Sequence, residues 1–225
     1  MELSKEQIHE INEYISACGI KYYDVKIEIV DHFASILEIR LDENPSLNFK
    51  ETIIEEHKKF SNNGFKKLLE TKTKTTHNKF VKQTWTNFKS FFKLPKIIIT
   101  IALFFLLKEL MHSFQNKENF FFILVGISLF IMLQLLVRIS LGLKQKKERF
   151  LTLERTSIFL QIVNFIFICF YNSVLIRSDK SFTDISYNLI HLAFFVVLLL
   201  FYWSGEHVYL HNRTIIKKQY PNVFI

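Results

Sequence analysis

Glycine and proline are scarce in this sequence. Its 225 residues include five glycines and three prolines, whereas phenylalanine occurs 25 times. A β protein built from many tight turns needs more glycine and proline than this, and abundant phenylalanine suits helices that face lipid. The composition therefore predicts an all-α fold.

Cysteine is also rare, and a secretory leader pattern is missing. Cys18 lies in a polar N-terminal region and Cys169 lies in an apolar run, so a disulfide between them is not expected. The N-terminus, MELSKEQIHE, lacks the basic and then apolar layout of a signal peptide. The apolar runs themselves are therefore expected to direct membrane insertion.

Long uncharged stretches are the most prominent feature that is present. The run FFFILVGISLFIMLQLLV at 120–137 contains no charge and would be roughly 27 Å long as a helix, close to the hydrocarbon thickness of a bilayer. Together with similar stretches, it predicts a four-helix transmembrane bundle in a domain at 95–204. Its spans are placed at about 95–114, 120–137, 157–176 and 185–203.

The first span has the weakest sequence support, because only 97–107 is continuously apolar. To cross a bilayer it must include Lys108 and Glu109. These two charged side chains either face the bundle and mark a functional position or extend to the nearby interface.

Basic residues in the connecting segments predict the topology. The segments at 112–119, 138–156, 177–184 and 204–225 hold one, six, two and three Lys or Arg residues respectively. Since basic residues accumulate in cytoplasmic loops, the pattern predicts four crossings with both termini in the cytoplasm, and a cytoplasmic tail at 205–225. We expect a multi-pass protein of the bacterial inner (plasma) membrane.

The region 1–64 is predicted to be a small cytoplasmic head of three helices. Ser4 and Gln7 form a capping box that begins the first helix, which Gly19 ends. The second helix runs from about Tyr23 to Leu41, and the third begins near Phe49 and closes at a turn at 62–64. The predicted apolar faces are Ile8, Ile11 and Ile15; Ile29, Val30, Phe33, Ile36 and Leu37; and Phe49, Ile53, Ile54, His57 and Phe60.

The charges divide the cytoplasmic region into an acidic head and a basic neck. Residues 1–59 hold seven Lys or Arg against thirteen Asp or Glu, whereas 60–96 hold nine Lys and one Glu. The segment 65–94 is predicted to be an amphipathic neck, loosened at 71–77. Its lysines alternate with aromatic residues, which is typical of an interfacial helix on anionic lipid headgroups; the lipid-facing candidates are Lys79, Lys82, Lys89 and Lys93. Nucleic acid could bind the same residues. The sequence contains no known nucleic-acid-recognition motif, however, so nucleic acid is not expected as a partner.

Two further groups of polar residues are candidate sites. In the third span, an arc of about 80° at helical spacing forms an intramembrane polar seam of Ser157, Gln161, Asn164 and Asn172. Such a seam holds a bundle or a homo-oligomer together by interhelical hydrogen bonds, or lines a transport path. In the tail, His207 and His211 stand at i and i+4 and are weak candidates for a metal site. Two ligands do not complete such a site, so no metal or other cofactor is expected.

The stretch EIVDH at 28–32 is the third candidate. Glu28 and His32 can pair at i and i+4, and Asp31 adds a carboxylate beside them. A catalytic cluster would need a nucleophile or an oxyanion donor nearby, and the sequence supplies neither. These three residues are therefore predicted to form an edge that docks a protein partner.

The head resembles the small helical cytoplasmic domain of HAAS type, which precedes transmembrane helices in many bacterial membrane proteins. The likeness is carried by LSKE at 3–6, YD at 23–24 and EIVDH at 28–32. It is greatest to uncharacterised proteins of the Bacteroidetes kind that share a head, a lysine-rich neck and four spans. The resemblance implies a membrane-anchored regulatory or signalling accessory without established catalytic residues.

The leading functional hypothesis is therefore a non-enzymatic inner-membrane protein whose head docks another protein. The first alternative is a small transporter or channel. The second is a membrane-embedded enzyme that uses the tail histidines.

Overall fold

The computed structural model describes residues 2–59, 64–144, 148–177 and 179–223. Within these ranges every named secondary-structure element is a helix. Tyr22 and Arg149 form an isolated β-bridge. The predicted all-α fold is confirmed. In chain order the helices are α1 (Lys5–Ala17), α2 (Tyr23–Glu43), α3 (Phe49–Lys59), α4 (Gly64–Ser90), α5 (Lys96–Ser113), α6 (Lys117–Lys144), α7 (Leu151–Leu175), α8 (Asp179–Thr183) and α9 (Ile185–Gln219), followed by a short 3-10 helix, Pro221–Val223.

The chain divides into two compact units. The head unit comprises Met1–Asn78 and Glu148–Arg155, and the membrane unit comprises Lys79–Lys147 and Thr156–Ile225. One boundary falls inside α4 and the other near the start of α7. The segment 65–94, treated above as a single neck, thus contributes residues to both units.

Local sequence signals set the ends of α1. Ser4 Oγ accepts a hydrogen bond from the backbone N–H of Gln7 (3.2 Å), and Gln7 Oε1 accepts one from the N–H of Ser4 (2.8 Å), so the predicted capping box is confirmed. After α1, Gly19 has φ 91°, a conformation that glycine adopts without steric cost. Ile11 and Ile15 are fully buried, whereas Ile8, which was expected on the same face, is exposed.

The core of the head unit is centred on α2. Its buried residues recur at every fourth position, and Val30 and Ile36, which were predicted as core, are only partly buried beside that stripe. The buried stripe consists of Val25, Ile29, Phe33, Leu37 and Leu41. Phe65 packs edge-on against Phe33, with ring centroids 5.8 Å apart, so the first turn of α4 belongs to this core and not to a lipid-facing neck.

In α3 the buried residues include the polar residues Thr52 and Glu56. Ile53 is buried as predicted, but Ile54 is exposed, and Glu56 is buried. Glu56 accepts hydrogen bonds from Arg40 Nε (2.7 Å) and Lys59 Nζ (2.6 Å), which offsets the cost of burying a carboxylate. The predicted core position Phe60 and the turn residues Asn62 and Asn63 lie outside the described residues, and Gly64 begins α4.

α4 is one continuous helix of 27 residues. The loosening expected at 71–77 is wrong. Thr71 Oγ1 donates to the carbonyl of Lys67 (2.9 Å), so the hydroxyl is satisfied within the helix. The modest helix propensity of threonine is a weak local preference that tertiary context overrides.

Among the described residues, three helices are long and apolar enough to cross a membrane. They are Lys117–Leu141, Leu151–Leu175 and Ile185–Gln219, and they correspond to the predicted second, third and fourth spans. α5 covers the predicted first span, but its 18 residues include Lys96, Lys108 and Glu109. Lys108 is half-buried with its Nζ 5.6 Å from the centre of the Phe105 ring, and Glu109 is exposed.

Aromatic contacts and two arginines join the helices of the membrane unit. Phe170 of α7 lies 5.4 Å from Phe195 of α9, measured between ring centroids, and α5 packs along α9 and α6. Arg138 of α6 forms an ion pair with Glu206 of α9. Arg177, just after α7, donates from Nη2 to Asn188 Oδ1 of α9 (2.6 Å).

Candidate functional site

The segment Glu148–Arg155, here called the clamp segment, is folded onto the head. The backbone N–H of Tyr23 donates to the carbonyl oxygen of Arg149 (2.7 Å). Phe150 and Leu151 are almost completely buried, and the Phe150 ring lies 5.7 Å from the Tyr23 ring. The basic loop predicted at 138–156 includes this segment.

Asp24 of α2 caps the first turn of α7. Its Oδ1 accepts from the N–H of Leu151 (2.9 Å), and its Oδ2 accepts from the N–H (3.2 Å) and the Oγ1 (3.1 Å) of Thr152. The first N–H groups of a helix have no partner within the helix, and a carboxylate there also interacts favourably with the helix dipole. The cap of α7 therefore comes from a residue 127 positions earlier in the chain.

A second polar group holds the clamp segment beside the cap. Tyr22 Oη donates to Glu154 Oε1 (2.7 Å), while Arg149 Nη2 donates to Glu154 Oε2 (2.9 Å). The Arg149 guanidinium also lies 5.7 Å from the centre of the Tyr22 ring. Burial, together with the hydrogen bond to Glu154, raises the pKa of Tyr22.

The contact between α2 and the clamp segment could not be predicted from the sequence, because its two sides are far apart in the chain. A signal was present in FLTL at 150–153, where apolar residues interrupt a basic, polar loop. In the structure Phe150, Leu151 and Leu153 are buried. Comparisons with known protein families, with curated proteins and with solved structures find no match to this chain.

The predicted docking residues Glu28, Asp31 and His32 are all exposed on α2. Glu28 forms an ion pair with Lys72 of α4. Asp31 also lines a groove of about 540 Å³ between α1 and α2, together with Lys26 and with apolar residues that include Ile8 and Val30. One carboxylate of this edge therefore belongs to a groove lined by both charged and apolar side chains.

The predicted polar seam of α7 is split between two environments. Ser157 and Asn164 are buried, whereas Gln161 and Asn172 are exposed. The buried apolar face of α7 contains Leu160, Val163, Phe167, Phe170 and Val174. At about 100° per residue, the polar arc lies across one margin of that face, which is why only half of its members are covered. Asn164 Oδ1 is buried and has no hydrogen-bond partner among the described residues.

The four candidate neck lysines, Lys79, Lys82, Lys89 and Lys93, are exposed. Lys89 Nζ lies 5.5 Å from the centre of the Trp85 ring, and Trp85 is itself exposed. On the other side of the same helix, Phe80 and Thr84 are buried within the membrane unit. This part of α4 is thus amphipathic, with a packed face and a face of lysine and tryptophan.

His207 and His211 lie side by side on α9, with ring centroids 6.5 Å apart and nearly parallel planes. They line a groove of about 370 Å³ against α4, where Asn87 Nδ2 lies 3.3 Å from His207 Nδ1. In the part of the chain that the structure describes, no group of three or more His, Cys, Asp or Glu side chains could hold a metal ion.

Proposed function

We propose that this chain is a non-enzymatic membrane protein that acts as a regulatory or signalling accessory, with its head docking a soluble protein partner. The contact between the clamp segment and α2 is the main observation that supports the proposal. Asp24 of the head holds the first turn of α7, and α7 is long and apolar enough to cross a membrane. A partner that rearranges α2 therefore acts directly on the end of a candidate span.

The exposed acidic edge Glu28, Asp31 and His32 supports docking of a partner with a basic surface. Lys72 pairs with Glu28 within the head, which supports a basic side chain as the partner for this edge. The side chains of Lys72 and Glu28 are 41% and 59% exposed, and ion pairs that water reaches contribute little, typically below about 1 kcal/mol. A basic partner can therefore displace Lys72 at small cost.

The clamp segment also supports four crossings. It belongs to the same folded unit as the head, which supports placing both on one side of the membrane. If α6 crosses once between them, a second crossing is required, and α5 is the other long helix described between residues 91 and 147. With basic loops on the inner side, we infer a bacterial inner-membrane protein whose head and C-terminus are cytoplasmic.

Site-directed photo-crosslinking in cells tests the docking edge. A photoreactive amino acid at position 32 in the full-length protein should capture a protein, identified by mass spectrometry, that presents a basic surface. Its capture should be lost when Glu28→Lys and Asp31→Lys are combined, because the edge then repels that surface. The matched control is Glu13→Lys with Glu51→Lys, which makes the same change of charge at exposed positions of α1 and α3.

Equal capture by both double variants would refute docking through this edge. The resemblance to HAAS domains would then point to another surface of the head. If position 32 captures no protein in cells while the protein supports solute flux in proteoliposomes, the transporter alternative replaces this proposal.

A further inference from the structure

One face of α7 exposes a stripe with a seven-residue repeat. Its members are spaced alternately by three and four residues, the 3.5-residue average of the a and d positions in a coiled coil. All six are exposed, and all belong to the membrane unit. The stripe consists of Ile158, Gln161, Phe165, Ile168, Asn172 and Leu175.

Two amides stand in this otherwise apolar stripe. Lipid tails offer no hydrogen-bond partner, so an amide that faces them costs free energy, whereas an interhelical hydrogen bond offsets part of that cost. Asn172 donates from Nδ2 to the carbonyl of Ile168 (2.9 Å), which uses one of its two N–H groups. Gln161 stands eleven residues earlier, roughly 16 Å along the helix axis.

The spacing and chemistry select the occupant of this face. Copies of one membrane protein insert in one orientation, so a two-fold axis along the membrane normal sets identical residues of two α7 helices opposite each other. A side-chain amide is both donor and acceptor and can therefore pair with its own copy. An unrelated helix would need hydrogen-bonding side chains at the same eleven-residue interval.

We propose that α7 forms a parallel homodimer through this stripe. Gln161 pairs with Gln161 of the second copy, and Asn172 pairs with Asn172 of the second copy. Ile158, Phe165, Ile168 and Leu175 pack between and beside these two polar layers. Polar residues at such positions fix the register of paired helices, and two layers three turns apart fix it at two points.

The dimer is tested by measuring the monomer–dimer equilibrium of the full-length protein as it is diluted in lipid vesicles, using resonance energy transfer between labelled copies. Gln161→Leu and Asn172→Leu should each weaken dimerisation by about tenfold, since each removes a pair of reciprocal hydrogen bonds of modest strength. Leucine is favourable in a span, so these variants retain insertion. The matched control is Gln134→Leu, which removes an exposed amide from α6 and should leave the equilibrium unchanged.

Cysteine cross-linking supplies a geometric readout in a Cys18→Ser, Cys169→Ser background. Phe165→Cys and Ile168→Cys should form disulfide-linked dimers on oxidation. Leu133→Cys, at an exposed position of α6, should not. The proposal is overturned if the protein stays monomeric at high protein-to-lipid ratio, if Gln134→Leu weakens the dimer and the α7 variants do not, or if cross-linking occurs at position 133 and not at 165 and 168.

Discussion

At the scale of the residue, Asp24 joins two parts of the chain that are far apart in sequence. A side chain that looks like an ordinary exposed carboxylate in the sequence accepts three hydrogen bonds from the first turn of α7. Local signals could be predicted, as the Ser4 and Gln7 capping box shows, because both partners lie within one turn. The Asp24 cap could not, because neither end of the contact carries a mark that identifies the other.

Replacing Asp24 with alanine should destabilise the start of α7 by about 0.5–2 kcal/mol, the usual cost of losing an N-cap. Asparagine at the same position should retain most of the stability, since it caps nearly as well. The measurement is hydrogen exchange at the amides of Leu151 and Thr152 in the full-length protein. Asp31→Ala, on the exposed face of α2, is the control; equal exchange in the Asp24 and Asp31 variants would show that the cap contributes nothing.

Phe33 is fully buried at the centre of the head. Phe33→Ala should cost about 3 kcal/mol or more in the free energy of unfolding, because it removes a large buried ring and leaves a cavity. Ile39→Ala, at an exposed position of the same helix, should change it by less than about 0.5 kcal/mol. Denaturant unfolding in nanodiscs compares the two, and a similar loss from both would mean that the core is misassigned.

Glu56 gives the head a dependence on acid. Burial alone raises the pKa of a carboxyl, but Lys59 and Arg40 outweigh it, and the pKa of Glu56 lies below its ordinary value of 4.5. The stabilisation is therefore complete above pH 4.5 and is lost as the pH falls through the lowered pKa. Unfolding between pH 7 and 3 should show a smaller loss of stability for Glu56→Gln than for the native chain, and parallel curves would contradict this assignment.

At the scale of the element, α4 shows both what sequence pattern predicts and where it fails. The exposed lysines and Trp85 follow from the amphipathic pattern, because lysines beside aromatic residues are typical of a membrane interface. Phe65 was assigned to the neck because it stands beside Lys66 and Lys67. Only the fold shows that it packs under Phe33.

The lysines of the neck predict a preference for anionic lipid, which the fluorescence of Trp85 can measure. In a Trp203→Phe background, Trp85 is the one remaining tryptophan. Brominated anionic lipid should quench its fluorescence more than brominated neutral lipid, and added salt should reduce the difference, since each interfacial lysine contributes on the order of 1 kcal/mol. Replacing Lys79, Lys82, Lys89 and Lys93 with glutamine should remove the preference; equal quenching by both lipids in the native chain would exclude an electrostatic contact.

At the scale of the whole molecule, the part of the chain that the structure describes contains three candidate spans. Each is a long apolar run, which the sequence alone reveals. α5 is ambiguous by composition because of Lys96, Lys108 and Glu109. The division into units was less predictable. The clamp segment joins the head across a separation in sequence that contains α5 and α6, and no local pattern encodes such a contact.

Topology is tested with the intact chain. A reporter inserted after Asn116, between α5 and α6, should read periplasmic, whereas a C-terminal reporter should read cytoplasmic and the native thiol of Cys18, which is exposed, should be labelled only from the cytoplasmic side. A cytoplasmic signal at Asn116 with Cys18 also cytoplasmic would mean that α5 does not cross.

The separation of Asp24 from Leu151 also sets an order of biosynthesis. At roughly 5–20 residues per second, the 127 residues from position 25 to Leu151 take about 6–25 s to synthesise. Throughout that interval the nascent head exposes the surface that later covers Phe150 and Leu151. A ribosome stalled after α6 would present a head that lacks this cover, and such an arrested chain is where a chaperone would bind.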